Sequence, residues 1–219
     1  MNNRISNGLE YVFCKNGTAL LSSIGSCKDV DIVVPEFVEG KTVTGVAEGA
    51  FARSATIRSV VLPHTVSVIG KNAFAWCRNL EFVSAVGIIE IDDKAFIGCD
   101  SLSDLGIGSK IKRIGCKVFA YCNSLSSALL PAGICEIGCS AFEGCRNLSL
   151  VSIPANLKYL ENGVFYACTS LRRITLPSSL EYIDEYAFAY CISLENVNIS
   201  AKTVVNRDAF FESSRRMAS

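Results

Sequence analysis

The chain has 219 residues, half of them hydrophobic, and its 21 basic and 21 acidic side chains leave a formal charge of zero. That balance creates no broad attraction to nucleic acid or to an anionic membrane, so neither is expected as a partner. No apolar run approaches the roughly 18 residues that a spanning helix needs, so no membrane span is expected either.

Residues 1–10 are polar and lack the apolar stretch of a secretory leader. A cytoplasmic location is expected if the chain is complete. A cell-surface or secreted one is expected if it was trimmed from something longer. Residues 1–30 read as an N-terminal capping hairpin. Two apolar runs, Leu9–Cys14 and Ala19–Ile24, flank an Asn16-Gly17 turn signal. Such a cap is needed wherever a stack of strands would otherwise present an open edge.

From residue 31 to residue 211 the chain repeats itself. A small residue followed by Phe recurs at Phe51, Phe74, Phe96, Phe119, Phe142, Phe165, Phe188 and Phe210. The steps between these anchors are 22 or 23 residues, which gives about eight units. Leu follows most anchors by six residues, and Cys77, Cys99, Cys122, Cys145, Cys168 and Cys191 each follow one by three. All five prolines (Pro35, Pro63, Pro131, Pro154 and Pro177) share one repeat position. The first unit carries an insertion around Glu39-Gly40-Lys41, and residues 212–219 form a short polar tail.

Within a unit, alternation sets the geometry. In Leu171-Arg-Arg-Ile174-Thr-Leu176, Ile174 and Leu176 face inward while Arg173 and Thr175 face out. Pro177 ends this strand because it has no N–H for a ladder. A second short extended piece runs from Leu180 to Ile183, and the Ala-Phe-x-x-Cys segment is expected to form a helical turn. One unit cannot bury its own apolar face, whereas stacked units can. The expectation is an α/β solenoid: an arc with a parallel β-strand ladder, short strands and helical turns on the other side, on the order of 40 Å long.

The combined pattern Leu-x-x-Ile-x-Ile-Pro-x-x-Leu-x-x-Ile-Gly-x-x-Ala-Phe-x-x-Cys resembles the BspA-like leucine-rich repeats, also called the Treponema pallidum type, over roughly residues 30–211. The resemblance implies a solenoid with a parallel sheet on its concave side, and a role in adhesion or protein binding. It supplies no catalytic motif.

The residues themselves point away from catalysis. His64 is the only histidine, and Gly106-Ile-Gly108 lies on a repeat strand rather than before a helix. Asp92-Asp93 and Asp184-Glu185 sit in turn positions. The eleven cysteines contain no C-x-x-C pair, so they read as small buried hydrophobes rather than metal ligands. No catalytic residue, cofactor or metal is expected.

The remaining candidate is the outward face of the strand ladder. Phe82, Ser84, Asp104, Leu129, Leu150, Ser152, Arg173 and Thr175 are the residues expected to meet a protein partner there, with Phe82, Leu129 and Leu150 as apolar contacts. Asn196 and Asn198 would close this face. A second extended row runs through Glu90, Arg113, Glu136, Tyr159 and Tyr182. Trp76, Tyr121 and Tyr190, two residues after an anchor, are expected on the turn edge. The functional reading is a non-enzymatic protein-binding scaffold. The alternative is a structural, self-associating segment of a larger cell-surface protein, joined end to end through unpaired strands.

Overall fold

The computed structural model describes residues 5–214. The chain opens with β1 (Glu10–Phe13) and β2 (Ala19–Ser23), followed by β3 (Asp31–Val33), β4 (Phe37–Val38) and β5 (Lys41–Val46). The next coils each contribute two short strands: β6 (Ser59–Val61) and β7 (Val68–Ile69), β8 (Phe82–Ala85) and β9 (Glu90–Ile91), β10 (Asp104–Ile107) and β11 (Arg113–Ile114). The pattern continues with β12 (Ser127–Leu129) and β13 (Glu136–Ile137), β14 (Leu150–Ser152) and β15 (Tyr159–Leu160), β16 (Arg173–Thr175) and β17 (Tyr182–Ile183), and ends on β18 (Val204–Val205). About eight coils stack into a β-solenoid.

The eight anchor phenylalanines form one column. Ring centroids are 5.0 to 5.7 Å apart from Phe51 through Phe210, with interplanar angles of 24° or less. Offset stacking at this spacing adds to the area each ring removes from water. Around the rings lie the inward strand residues, among them Val60, Val83, Val151 and Ile174, and the Leu and Ile repeat positions.

The anchor segments are not helical turns: no helix occurs among the described residues. The reason lies in the backbone two residues either side of each ring. Around Phe119, Lys117 has φ 56° and Tyr121 has φ 62°; around Phe188, Tyr186 has φ 57° and Tyr190 has φ 58°. Left-handed residues at both positions interrupt any right-handed helical run. The alternation instead turns every second N–H group toward the following coil. Each anchor N–H donates to the carbonyl of the small residue before the next anchor, at 2.7 to 3.0 Å across all seven junctions. The flanking residues do the same, as in Lys117 N–H to Cys139 O at 2.9 Å and Tyr121 N–H to Glu143 O at 2.7 Å.

The repeat cysteines complete this column. Cys77, Cys99, Cys122, Cys145, Cys168 and Cys191 are buried, and each Sγ lies 3.0 to 3.2 Å from the carbonyl oxygen of the anchor Phe one coil back. From Phe74 onward that oxygen also accepts the backbone N–H of the cysteine in its own coil. The thiol thus supplies a second, weak donor to a buried carbonyl that water cannot reach. The role goes beyond small-residue packing.

The strands form two parallel columns, not one unbroken ladder. The first joins β3, β6, β8 and β10, then resumes as β12, β14 and β16. The second runs from β2 through β5, β7, β9, β11 and β13, then resumes as β15, β17 and β18. The gap between β10 and β12 has a local cause. Gly106 within β10 and Gly108 just after it weaken this strand, and Ala128 stands in β12 where the coils on either side carry Leu105 and Val151. At residues 196–198 the expected strand is absent. Asn at both outward positions has low strand preference.

The N-terminal segment closes the first edges. β1 pairs antiparallel with β2, and β2 lies parallel on β5. Ser6 covers β3, its N–H donating to Val33 O at 3.0 Å and its Oγ accepting from Val33 N–H at 3.1 Å. The insertion in the first unit is a small hairpin, β4 against β5, turned by Glu39 and Gly40.

Two outcomes are expected. Phe119→Ala, in the middle of the column, should lower unfolding free energy by about 3–5 kcal/mol, read from urea transitions; a loss under about 1 kcal/mol would contradict the shared core. The second concerns pH. Burial pushes the thiols of Cys77, Cys145 and Cys191 from their ordinary 9.0 up to about 12. Above about pH 9 the unfolded chain releases protons that the folded chain keeps, so stability must fall as pH rises toward 12 and be indifferent to these groups below 9. Urea midpoints at about pH 7.5 and about pH 10.5 test this, with the lower midpoint expected at the higher pH.

Candidate functional site

The outward face of the first strand column holds all eight expected residues, but the gap divides them. Phe82, Ser84 and Asp104 belong to β8 and β10, with Phe82 opposite Asp104 and Ser84 opposite Gly106. Leu129, Leu150, Ser152, Arg173 and Thr175 belong to β12, β14 and β16. There Leu150 lies opposite Arg173, Leu129 opposite Ser152, and Ser152 opposite Thr175.

The three apolar candidates differ. Leu129 is 67% exposed, whereas Phe82 and Leu150 are half-buried. The neighbouring glycine accounts for Phe82. A Cβ placed on Gly106 would meet the Phe82 ring at 3.6 Å, so the ring lies over the bare backbone of the next coil. Asp104, Arg173 and Thr175 are exposed, and Ser84 and Ser152 are half-buried.

Two concavities flank this face. A groove of about 910 Å³ lies between the N-terminal segment and the first strands, lined in part by Ile5, Asn7, Val30, Arg58 and Phe82. Asp31 borders it and accepts from Arg58 Nε at 3.1 Å and from Ser59 Oγ at 2.7 Å. The hydrogen bonds from Arg58 and then Ser59 hold the Asp31 carboxyl below its usual range. A smaller crevice of about 250 Å³ opens at the β10–β12 gap. Asp104 and Leu129 stand on its walls, and it reaches inward to Phe119 and Phe142. It brings one member of each half of the face together. Sequence reasoning missed this crevice, although Gly106, Gly108 and the small Ala128 were its signal.

Arg173 also lines a shallow polar depression of about 380 Å³ with Arg172, Ser149, Ser170 and Ser193. The second row of outward residues is broken as well. Arg113 pairs with Glu90 and, at 2.7 Å, with Asp92, but β13 and β15 do not pair, so Glu136 and Tyr159 are not ladder partners. Tyr159 sits opposite Tyr182.

On the turn edge, Trp76 and Tyr121 are more than a third exposed. Their rings lie over Gly98 and Gly144 of the following coils, where a Cβ would approach ring atoms to 2.2 and 2.6 Å. Tyr121 Oη donates to Glu143 Oε1 at 2.5 Å, and that bond raises the phenol's pKa.

His64 is largely exposed and lies 4.0 Å from Glu36. Among the described residues, no group of three or more His, Cys, Asp and Glu side chains is placed to hold a metal ion. None of the described residues forms a helix long and apolar enough to cross a membrane.

Comparison with known proteins follows the repeat. No curated protein matches the chain. A leucine-rich repeat protein of T. pallidum has a similar structure, with a TM-score of 0.81 and 30% identity, covering 86% of this chain and 89% of the other. A leucine-rich repeat protein from Bacteroides ovatus superposes with a TM-score of 0.83 and 27% identity; 93% of this chain covers 55% of that one. Residues 44–135 and 89–216 match the BspA type leucine rich repeat region in six copies. With that family match spanning most of the chain and a 30% identical structure covering most of both chains, the chain belongs to the BspA-type leucine-rich repeat family.

Proposed function

We propose that this protein is a non-enzymatic protein-binding scaffold whose partner docks on the outward face of the first strand column. The observation that carries this reading is the crevice at the β10–β12 gap. An exposed Leu129 stands beside a cleft that leads to Phe119 and Phe142, with Asp104 and Ser127 at its margins. Apolar side chains around a concavity with a polar border are the anatomy of an interface centre and rim. Phe82 and the groove beside it would extend the contact toward the N-terminal coils. Leu150, Ser152, Arg173 and Thr175 would extend it toward the C-terminal ones.

The family supports a scaffold role in general terms, and an adhesive role fits a rigid, regular surface of this kind. On either side of the gap the paired registers hold the outward side chains in place, which limits the conformational entropy lost when a partner lands there.

The test replaces Phe82, Leu129 and Leu150 together with Ser. All three project outward, so the circular dichroism spectrum of the variant should match that of the parent, with a lower thermal midpoint because Phe82 and Leu150 are half-buried. Affinity for a protein ligand selected against the parent chain should fall on the order of 10-fold or more. Equal affinity in the two proteins would reject this face as the docking surface. Light scattering on both, at rising concentration, separates self-association from partner binding.

A further inference from the structure

Eleven cysteines are present, and their sulfurs are not used alike. The six that follow an anchor by three residues aim at carbonyl oxygens. Cys116 and Cys139 do something else. They sit three residues before Phe119 and Phe142, on neighbouring coils, and are only half-buried. Their sulfurs lie 2.8 Å apart, with the Cys139 thiol donating to Cys116 Sγ.

The backbone holds this pair in register from both sides. Gly138 N–H donates to Ile114 O at 2.8 Å, and Lys117 N–H donates to Cys139 O at 2.9 Å. Cys116 N–H is fixed in turn by Asp93 Oδ1 at 2.8 Å. Stacked parallel coils set equivalent Cα atoms about 4.8 Å apart, within the window of roughly 4.4–6.8 Å that a disulfide spans. Gly138 keeps the space clear, because a Cβ there would stand 2.9 Å from Cys116 Sγ. The cysteine pairs of the buried row share the same coil spacing but lack this arrangement, since each of their sulfurs is turned to a Phe carbonyl.

We propose that Cys116 and Cys139 are a redox-modification site, a dithiol that closes to a disulfide and staples the fourth coil to the fifth. This is the junction at which β10 and β12 lack backbone pairing. A cross-link there replaces missing strand hydrogen bonds with a covalent tie on the far side of the crevice. The proposal does not depend on what binds the strand face.

The oxidant is a small-molecule disulfide. One cysteine thiolate attacks a sulfur of that disulfide, forming a mixed disulfide and releasing one small thiolate. The second cysteine sulfur then displaces the other small thiolate. The protein loses two thiol protons and two electrons, and the small disulfide is reduced to two thiols. Burial, and then the contact with Cys116, pushes the Cys139 thiol up to about 11. Attack by Cys139 therefore quickens as pH rises toward that value.

The test incubates the folded chain with oxidised glutathione, then blocks free thiols under denaturing conditions and maps peptides without reductant. The expected product links the Cys116 and Cys139 peptides with loss of two hydrogens, while the six buried repeat thiols are recovered blocked. The thermal midpoint of the oxidised protein should exceed that of the reduced protein by on the order of 5–10 °C. Cys139→Ser should abolish both the link and the shift. Recovery of Cys116 and Cys139 fully blocked after oxidation, or of Cys116 joined to glutathione alone, would overturn the proposal.

Discussion

The fold depends on how each coil presents its turn to the next. In a parallel strand pair, hydrogen bonds link neighbouring coils, but here both strand columns are interrupted. The turn column is not. Three backbone donors per junction and an aromatic ring on its neighbour run through it without a break, joined at the first six junctions by a thiol capping a carbonyl. Left-handed residues at two positions in all but the last coil make this pattern possible, at a cost on the order of 1 kcal/mol or more wherever the residue is not glycine. The repetition of that cost, coil after coil, shows that the bonds it permits are worth more than the strain.

This explains why gaps are tolerated in the strands. Between β10 and β12 the inward residue is Ala128, the preceding coil carries Gly106 and Gly108, and the ladder opens. Yet Phe119 and Phe142 remain stacked at 5.3 Å, and Phe119 N–H still reaches Ala141 O at 2.8 Å. The spine carries the junction, leaving the strand side free to vary in shape. Repeat proteins use such freedom because each coil needs only its neighbours for stability. A recess that leads from the strand face to the Phe column occurs where the backbone is unpaired, and the half-buried cysteine pair spans the same junction.

The surface follows from the same stacking. Side chains at equivalent positions come within contact distance every coil, so a large outward ring can lie flat where the next coil offers a glycine. Trp76 over Gly98, Tyr121 over Gly144 and Phe82 over Gly106 are three cases. Exposure of an outward residue is therefore set by the coil after it as much as by its own strand. Leu129 faces Ser152 across the pair and stays open, whereas Phe82 is half covered.

The sequence alone determined the period, the register of the rings and the burial of the repeat leucines, because a spacing of 22 or 23 residues allows one way to bring every Phe into a common core. It also located the outward face, since alternation along a strand leaves no choice of side. It misjudged the turn, because the sign of φ at non-glycine residues such as Lys117 and Tyr121 is imposed by bonds to the neighbouring coil and has no marker in composition. It did not reveal where strands part, which depends on how Ala128 and two glycines pack against coils more than twenty residues away. It placed Cys116 and Cys139 on a register of their own, after Gly115 and Gly138, but gave them the same role as the buried row. Both sets repeat at the same interval, and only the three-dimensional placement decides whether a sulfur meets a carbonyl or another sulfur.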